Sequence, residues 1–389
     1  MKNSFISGFS CERAGSGDEE VICRLLALAF GFSRARAQEY VAHVGLSSFR
    51  MVRSDSGLAA ATAALLKTAH GFGGSDVPAG SIAHVAIAPE ARGRGLARPI
   101  VEALCEEARV EGALMMSLFG SARPVYRKCG FELAGSEIVY EAETAALPTR
   151  TDVDFFPLQP GDDRIRQAYQ AKVNGEAGLI RRSEVHWAEL LRAPTDGLAV
   201  FGAGGNPLKA YVVLDAGDPN VLEIRDWYAE NGAMAVALLC LVGRFRSVYP
   251  KVRWHGGPHD DLVAAMPDKG WRLAHQEEWM ARILDPERAL EHRGYRIDSA
   301  NLGIRIDGPG KKPLDLRLEI ASGKAQVVQA NINDLPTVVV DEPSFASLFT
   351  GFRSASKLAR QGVLFGEADA VQLCDMVFAG PLPWVAEHF

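Results

Sequence analysis

The chain has 389 residues, 48% of them hydrophobic, and a formal net charge of −6 at neutral pH. That length allows two or three domains with sizeable cores, and the mild acidity argues against a nucleic-acid partner while suiting a cationic substrate. Six scattered cysteines with no CxxC or zinc-type spacing, no long apolar run after Met1, and longest apolar runs (Leu58–Leu66, Ala233–Val242) short of the ~18 residues of a membrane span predict a cytoplasmic protein with reduced thiols, no metal and no membrane contact.

Residues 1–147 read as a first unit. Ser16-Gly-Asp-Glu-Glu-Val21 opens a helix with acidic residues in its first turn. A second helix is expected over Ser33–Val44, strands over Phe49–Arg53 and Leu58–Thr68, and a glycine-rich hairpin loop over His70–Gly80. Ser81–Ile87 alternates as a strand does, and Pro89 ends it. Arg92-Gly93-Arg94-Gly95-Leu96-Ala97-Arg98 follows, then an amphipathic helix carrying Ile100, Val101, Leu104 and Ala108. Ala113–Phe119 reads as a buried strand, Ser121–Phe131 follows it, and Glu132–Glu143 reads as the last strand of the unit.

The order recurs over 148–287 after the linker Pro148-Thr-Arg-Thr151. Helices are expected at Asp163–Asn174, Ser183–Leu191 and Gly232–Phe245, and strands at Leu198–Phe201, Lys209–Leu214, Val221–Ala229 and Lys251–Trp254. His255-Gly-Gly-Pro-His259-Asp-Asp has metal-type letters, but its glycines and proline make it a loop. Over 288–389 strands come first (Leu302–Ile306, Leu314–Ile320, Ala325–Ala330, Thr337–Val340) and helices after (Glu342–Phe352, Ser354–Gln361, Glu367–Phe378), the signature of an α+β layer.

The loop at 92–98 carries the chemistry. Its small residues, Gly93, Gly95 and Ala97, leave the amides that open the next helix uncovered, with the positive end of the helix dipole behind them. That suits a pyrophosphate. No Lys-Ser/Thr follows the last glycine, so it is not a P-loop, and Arg98 occupies the sixth position where a dinucleotide fingerprint needs glycine. Arg92-x-x-Gly95-x-Ala97 instead resembles the acyl-CoA loop of the GNAT superfamily of N-acetyltransferases. Tyr126-x-x-x-Gly130-Phe131 matches that superfamily downstream. A phenol and a departing thiolate have reference pKa values only ~1.5 units apart, so Tyr126 suits proton donation to the leaving sulfur.

The second copy has Glu230-Asn231-Gly232 where the loop should be, so it is degenerate and binds no CoA. The third segment resembles the sterol-carrier fold. This combination, with the junction Trp279–Leu290 and an end at Phe389, resembles the enhanced intracellular survival (Eis) family over essentially the whole chain. The fold class expected is therefore mixed α/β and α+β: tandem GNAT folds, the second degenerate, then a sterol-carrier-like domain.

The resemblance implies an acetyl-CoA-dependent N-acetyltransferase, often hexameric, acting on a primary amine of a small cationic substrate such as an aminoglycoside. By position, Val85, Ala86 and Ile87 would contact pantetheine and the acetyl carbonyl. Arg92, Gly93, Arg94, Gly95, Leu96, Ala97 and Arg98 would hold the pyrophosphate, and Ser121 and Ala122 would lie along the cofactor. Tyr126 would be the acid, and the α-carboxylate of Phe389 a base or water-positioner. Phe30, Phe32, Phe119, Trp384 and His388 are candidate pocket walls. His388 stands where an amine-binding member would be expected to carry an acid. The rivals are a protein-lysine or polyamine acetyltransferase on the same scaffold, and a lipid carrier with a vestigial first domain.

Overall fold

The computed structural model describes residues 7–120, 122–191, 197–310 and 312–388. The first unit runs β1 (Phe9–Arg13), α1 (Glu19–Phe30), α2 (Arg34–Val44), β2 (Phe49–Ser54), β3 (Ala59–Phe72), β4 (Ser75–Ile87), α3 (Ala97–Val110), β5 (Met115–Phe119), α4 (Arg123–Arg127) and β6 (Glu132–Glu143). The second runs β7 (Phe155–Pro157), α5 (Asp163–Gly175), α6 (Glu184–Leu190), β8 (Leu198–Gly204), β9 (Leu208–Asp218), β10 (Val221–Ala229), α7 (Gly232–Gly243), β11 (Lys251–His255), α8 (Asp261–Ala264) and β12 (Trp271–Ile283). The third runs α9 (Pro286–His292), β13 (Ser299–Asp307), β14 (Leu314–Ala321), β15 (Lys324–Gln329), β16 (Thr337–Asp341), α10 (Glu342–Thr350), α11 (Ala355–Arg360), β17 (Leu364–Gly366), α12 (Ala368–Val377) and β18 (Trp384–Val385).

Helices cover both faces of β2–β5. Ile22, Leu25 and Leu26 of α1 and Ile100, Val101 and Leu104 of α3 belong to one buried core with Ala61, Ala63 and Ala64 of β3. Burial on both faces explains why β3 reads as a continuous run of small apolar residues instead of alternating. The expected loop at His70–Gly80 is instead strand: β3 and β4 pair out to Phe72↔Ser75, leaving only Gly73-Gly74 as the turn.

The first two units share one sheet, ordered β1-β2-β3-β4-β5-β12-β6-β11-β10-β9-β8-β7, with β18 added beside β6. The last strand of the first unit therefore does not pair with β5. Strand β12 comes back from the end of the second unit and lies between them, Trp279 facing Phe119 on one side and Gly135 on the other. A Cβ at Gly135 would sit 2.4 Å from Trp279 Nε1, so glycine there admits the indole. Further along β6, Glu141 binds Lys251 and Arg253 of β11 and Arg272 of β12 at 3.1, 2.8 and 2.8 Å. Those cations outweigh burial and hold its carboxyl down at about 2.

The third unit is a five-stranded sheet, β15-β14-β13-β16-β17, with α10 packed on β6 and β12. Its core is continuous with Phe72, Leu114, Met115 and Trp279. Among the described residues no helix is long and apolar enough to cross a membrane, and the six cysteines are free.

His70 ties β3 to the second unit. Its Nδ1 donates to the Gly178 carbonyl (2.6 Å), which leaves Nε2 to accept from Ser117 Oγ (3.1 Å), and its ring stacks on Trp279. The imidazole is held neutral, its pKa pushed down to about 4 by burial. The unfolded chain takes up that proton from ~pH 6.5 downward while the fold does not. Unfolding free energy should therefore fall between pH 6.5 and 4, by up to ~3 kcal/mol from this residue. Chemical denaturation at pH 7.5 and 4.5 measures it, and a flat profile would mean that the folded state protonates His70.

Candidate active site

β4 and β5 pair in parallel only as far as Ser81↔Ser117. Beyond that the two strands part. In the same stretch β4 bulges: Thr62 faces Ala86 and Ala64 faces Ala83, so His84 and Val85 together oppose Ala63. His84 takes a positive φ of 52°. A bulge at this place re-aims the strand and frees backbone groups. Ala88 donates to Ala60 on the β3 side (2.8 Å). Amide directions alternate along a strand, so the N–H groups of Ile87 and Val85 face the opening beside β5.

The loop after β4 has the conformation that its glycines permit. Gly93 and Gly95 have φ of 78° and 74°, and a Cβ on either would meet nothing within 4 Å. Arg92, Gly93, Arg94 and Gly95 are exposed, whereas Leu96 is buried and anchors the start of α3. Among the described residues the amides of Gly93, Gly95, Leu96, Ala97 and Arg98 donate to no carbonyl. Arg98 is paired with Glu102 one turn on (2.7 Å). The result is an open anion cradle at a helix N-terminus, directly below the gap between β4 and β5.

Three further residues converge on the end of β5. Tyr126 of α4 is 8% exposed, burial raises its pKa, and its ring lies so close to Gly120 that a Cβ there would be 3.1 Å from Tyr126 Cδ2. Phe119 stacks on His388, centroids 4.1 Å apart and 19° between planes. His388 in turn hydrogen-bonds the buried Glu137 of β6 through Nδ1 (2.9 Å). Ala122 precedes α4. Ser121 and Phe389 lie outside the described residues.

A cavity of about 850 Å³ opens between the first two units. Tyr40, Val44, Leu65 and Leu66 line one side, Arg182, Val185, Leu190 and Ile224 the other, and Ala386–His388 close it. Each cavity carboxylate has a basic neighbour: Glu111 has Lys67 (3.1 Å), Asp215 has Arg225 (3.7 Å), Glu189 has His43 (3.6 Å), Glu223 has Arg253 (3.1 Å) and Glu387 has Arg182.

The expected walls separate. Phe30 and Phe32 both meet His84 edge-on, at 5.0 and 5.3 Å, with Tyr40 completing the group and donating or accepting at His84 Nδ1 (3.0 Å). Tyr40 and His84 carry no motif; only the register of β4 brings them together. Trp384 is not a wall. It is 2% exposed, in the core with Tyr169, Trp187 and Tyr211, and its Nε1 donates to Glu176 (3.1 Å). Period-free apolar sequence around it could not distinguish a wall from core. The docked tail is held by β18, which pairs with β6, and by Gly178 (φ 88°), where a Cβ would lie 2.8 Å from the Trp384 carbonyl oxygen.

Glu137, Glu277 and His388 bring ligand-type atoms within 4.8 Å of one another; of the three, His388 also lines this cavity. His255 and His259, read from sequence as loop residues, do not join that group; His255 Nδ1 lies 3.5 Å from Glu137.

The site so built is a splayed strand pair, a bulge and a run of open amides at a helix N-terminus. Residues 11–134 and 178–283 match two models described as acetyltransferase (GNAT) domains, and residues 286–386 match a sterol carrier protein domain. The chain is thus a tandem GNAT protein with a sterol-carrier-type domain after it. It is similar over 98% of its length to a GCN5-related N-acetyltransferase from Anabaena variabilis (25% identity, TM-score 0.91, all of that chain). It is likewise similar to one from Kribbella flavida (24%, 0.84, 98% of that chain) and to Eis1 from Mycobacterium abscessus (19%, 0.77, all of that chain). No curated protein sequence matches it.

Proposed function

We propose that this chain is an Eis-like N-acetyltransferase that moves the acetyl group of acetyl-CoA to a primary amine. The observation that carries the reading is the parting of β4 from β5 beside a bulge, with an anion cradle at its foot. A pantetheine arm fits the gap as a surrogate strand, its amides meeting the free edges of β4. The pyrophosphate takes the amides of Gly93 to Arg98. The N–H groups of Val85 and Ile87 then face the thioester carbonyl and stabilise the oxyanion of the tetrahedral intermediate. Tyr126 donates the proton to the leaving thiolate. The amine enters through the 850 Å³ cavity.

The internal pairing of the cavity's carboxylates favours a small or singly charged amine, including a polyamine end, over a multiply charged aminoglycoside, which would have to displace those pairs. Assembly as a homohexamer and a cytoplasmic location belong to the same reading.

Gly95→Asp should abolish acetyl-CoA binding without unfolding the protein. The position is open, so the fold tolerates the side chain, but a carboxylate would stand where pyrophosphate approaches. Calorimetric titration with acetyl-CoA tests the loop, and thiol release across aminoglycosides, polyamines and lysine peptides tests the reaction. Near-normal affinity in the variant would remove the loop from the site.

A further inference from the structure

We infer that His388, oriented by Glu137, is the general base that takes the proton of the acceptor ammonium. This rests on the acetyltransferase reading above and gives to His388 the base role that the family resemblance gave to the α-carboxylate of Phe389.

The geometry is that of a carboxylate–imidazole pair. Glu137 can only accept, so the 2.9 Å contact fixes the proton on His388 Nδ1 and leaves the Nε2 lone pair for a substrate proton. Glu137 is 4% exposed and fixed in β6, where β18 pairs with the strand at Glu137 itself. The ring is clamped against Phe119, the last residue of β5, at the mouth of the gap between β4 and β5. His388 lines the amine cavity, while half its side chain stays in contact with solvent (52%), so an accepted proton has an exit.

Charged groups face the ring from every packed element. Glu137 (β6) and Glu277 (β12) are the carboxylates; the hydrogen bond that Nδ1 donates to Glu137 raises the ring's pKa most, burial opposes it, and the charges of both carboxylates add to the rise. His84 (β4) is near enough to feel its charge, and burial first, then His388 and Arg36, push His84 down to about 4. His255 and Arg253 (β11), with Arg272 and His275 (β12), line the recess on the far side of the ring. Burial, outweighing Glu137, Glu387 and Asp226, lowers the pKa of His255.

The step balances. R–NH₃⁺ gives one proton to Nε2, and the freed lone pair attacks the thioester carbon. The C–N bond forms, the C–S bond breaks, and Tyr126 protonates the thiolate. The second nitrogen proton replaces that of Tyr126, and the imidazolium releases its own to water. An imidazole suits this better than an ordinary carboxylate, whose reference pKa is lower by ~2 units and which is too weak a proton acceptor for an ammonium.

The test is the pH profile of kcat/KM for the intact protein, with acetyl-CoA affinity measured in parallel. His388→Ala should lower kcat/KM by about 10²-fold at pH 7, leave acetyl-CoA affinity unchanged, and regain activity with added imidazole. Glu137→Gln removes the group that favours the imidazolium, so the acid limb of the profile should move to lower pH. Only the neutral ring accepts a proton, and it would stay neutral further down. A His388→Ala enzyme that keeps both the acid limb and turnover within a few-fold would overturn the assignment while leaving the acetyltransferase reading intact. So would a loss that imidazole does not rescue, with an unmoved limb in Glu137→Gln. Wild-type protein that binds acetyl-CoA but acetylates no amine would instead sink the reading beneath it.

Discussion

Replacing Tyr126 with phenylalanine is expected to lower kcat ~10²–10⁴-fold with little change in acetyl-CoA affinity. The substitution removes one oxygen from a ring that is 8% exposed, so packing against Gly120 and Phe131 is kept. No hydrogen bond to the Tyr126 hydroxyl is present among the described residues, so its loss strands no partner. What disappears is the proton for the thiolate. Burial raises the phenol's pKa, and a thiolate formed in the same dry recess is also poorly stabilised, so the transfer keeps its driving force. Steady-state kinetics with a thiol probe, and calorimetry with acetyl-CoA, separate the two quantities. If kcat survives within a few-fold, Tyr126 is packing and the thiolate leaves unaided.

The second large effect is expected at Arg182, far from any motif. Its side chain is 1% exposed and pairs with Asp226 (2% exposed) and with Glu387 of the tail. It also lies over Tyr169 at 3.7 Å. Tyr211 donates to the same Asp226 (2.5 Å). Arg182→Met would leave a buried carboxylate uncompensated, at ~3–5 kcal/mol. Burial works to raise the Asp226 pKa, and Arg182, helped by Lys172, overcomes it and holds the group low. In the wild type this contributes stability above the unfolded carboxylate pKa, ~3.9, and the contribution is lost as pH falls through the lower folded value. Without Arg182 only Lys172 and the Tyr211 hydroxyl oppose burial, and the folded pKa rises. The deficit should then be largest near pH 7.5 and shrink toward pH 4 as Asp226 takes up a proton. Denaturant melts at several pH values measure this, and a deficit independent of pH would assign the loss to packing. Because Glu387 is released too, His388 loses its registration and turnover should fall with stability.

The loop proposed for pyrophosphate was legible as a candidate because its chemistry is local. Glycines at 93 and 95, a helix immediately after, and no competing Lys or third glycine are facts about seven consecutive residues. Tyr126 was legible for the same reason. The run of strand, loop, helix and strand in each unit, and the change of texture near residue 286, also follow from periodicity, which is a property of neighbours in the chain.

Strand β12 was not legible. Its first half, Trp271–Glu278, is largely charged or polar and largely exposed, with no clean alternation, and its partners are distant in sequence, the nearest pair being Trp271 and Ala142. Its charges make sense only beside Glu141, as its Trp279 does only beside Gly135. Trp384 failed in the opposite sense: an aromatic near a chain end looks like a pocket wall until β18 is seen to carry it into the core.

The sequence by itself determined the loop proposed for acetyl-CoA and the phenol proposed to serve it, because those groups are contiguous. Which groups stand beside the cavity was decided only by the tertiary structure. Strand exchange brings β6 and β12 side by side, and the tail then lays His388 across Glu137 at the end of β5. That contact joins residues 251 positions apart, and no local pattern of side chains encodes a distance of that kind.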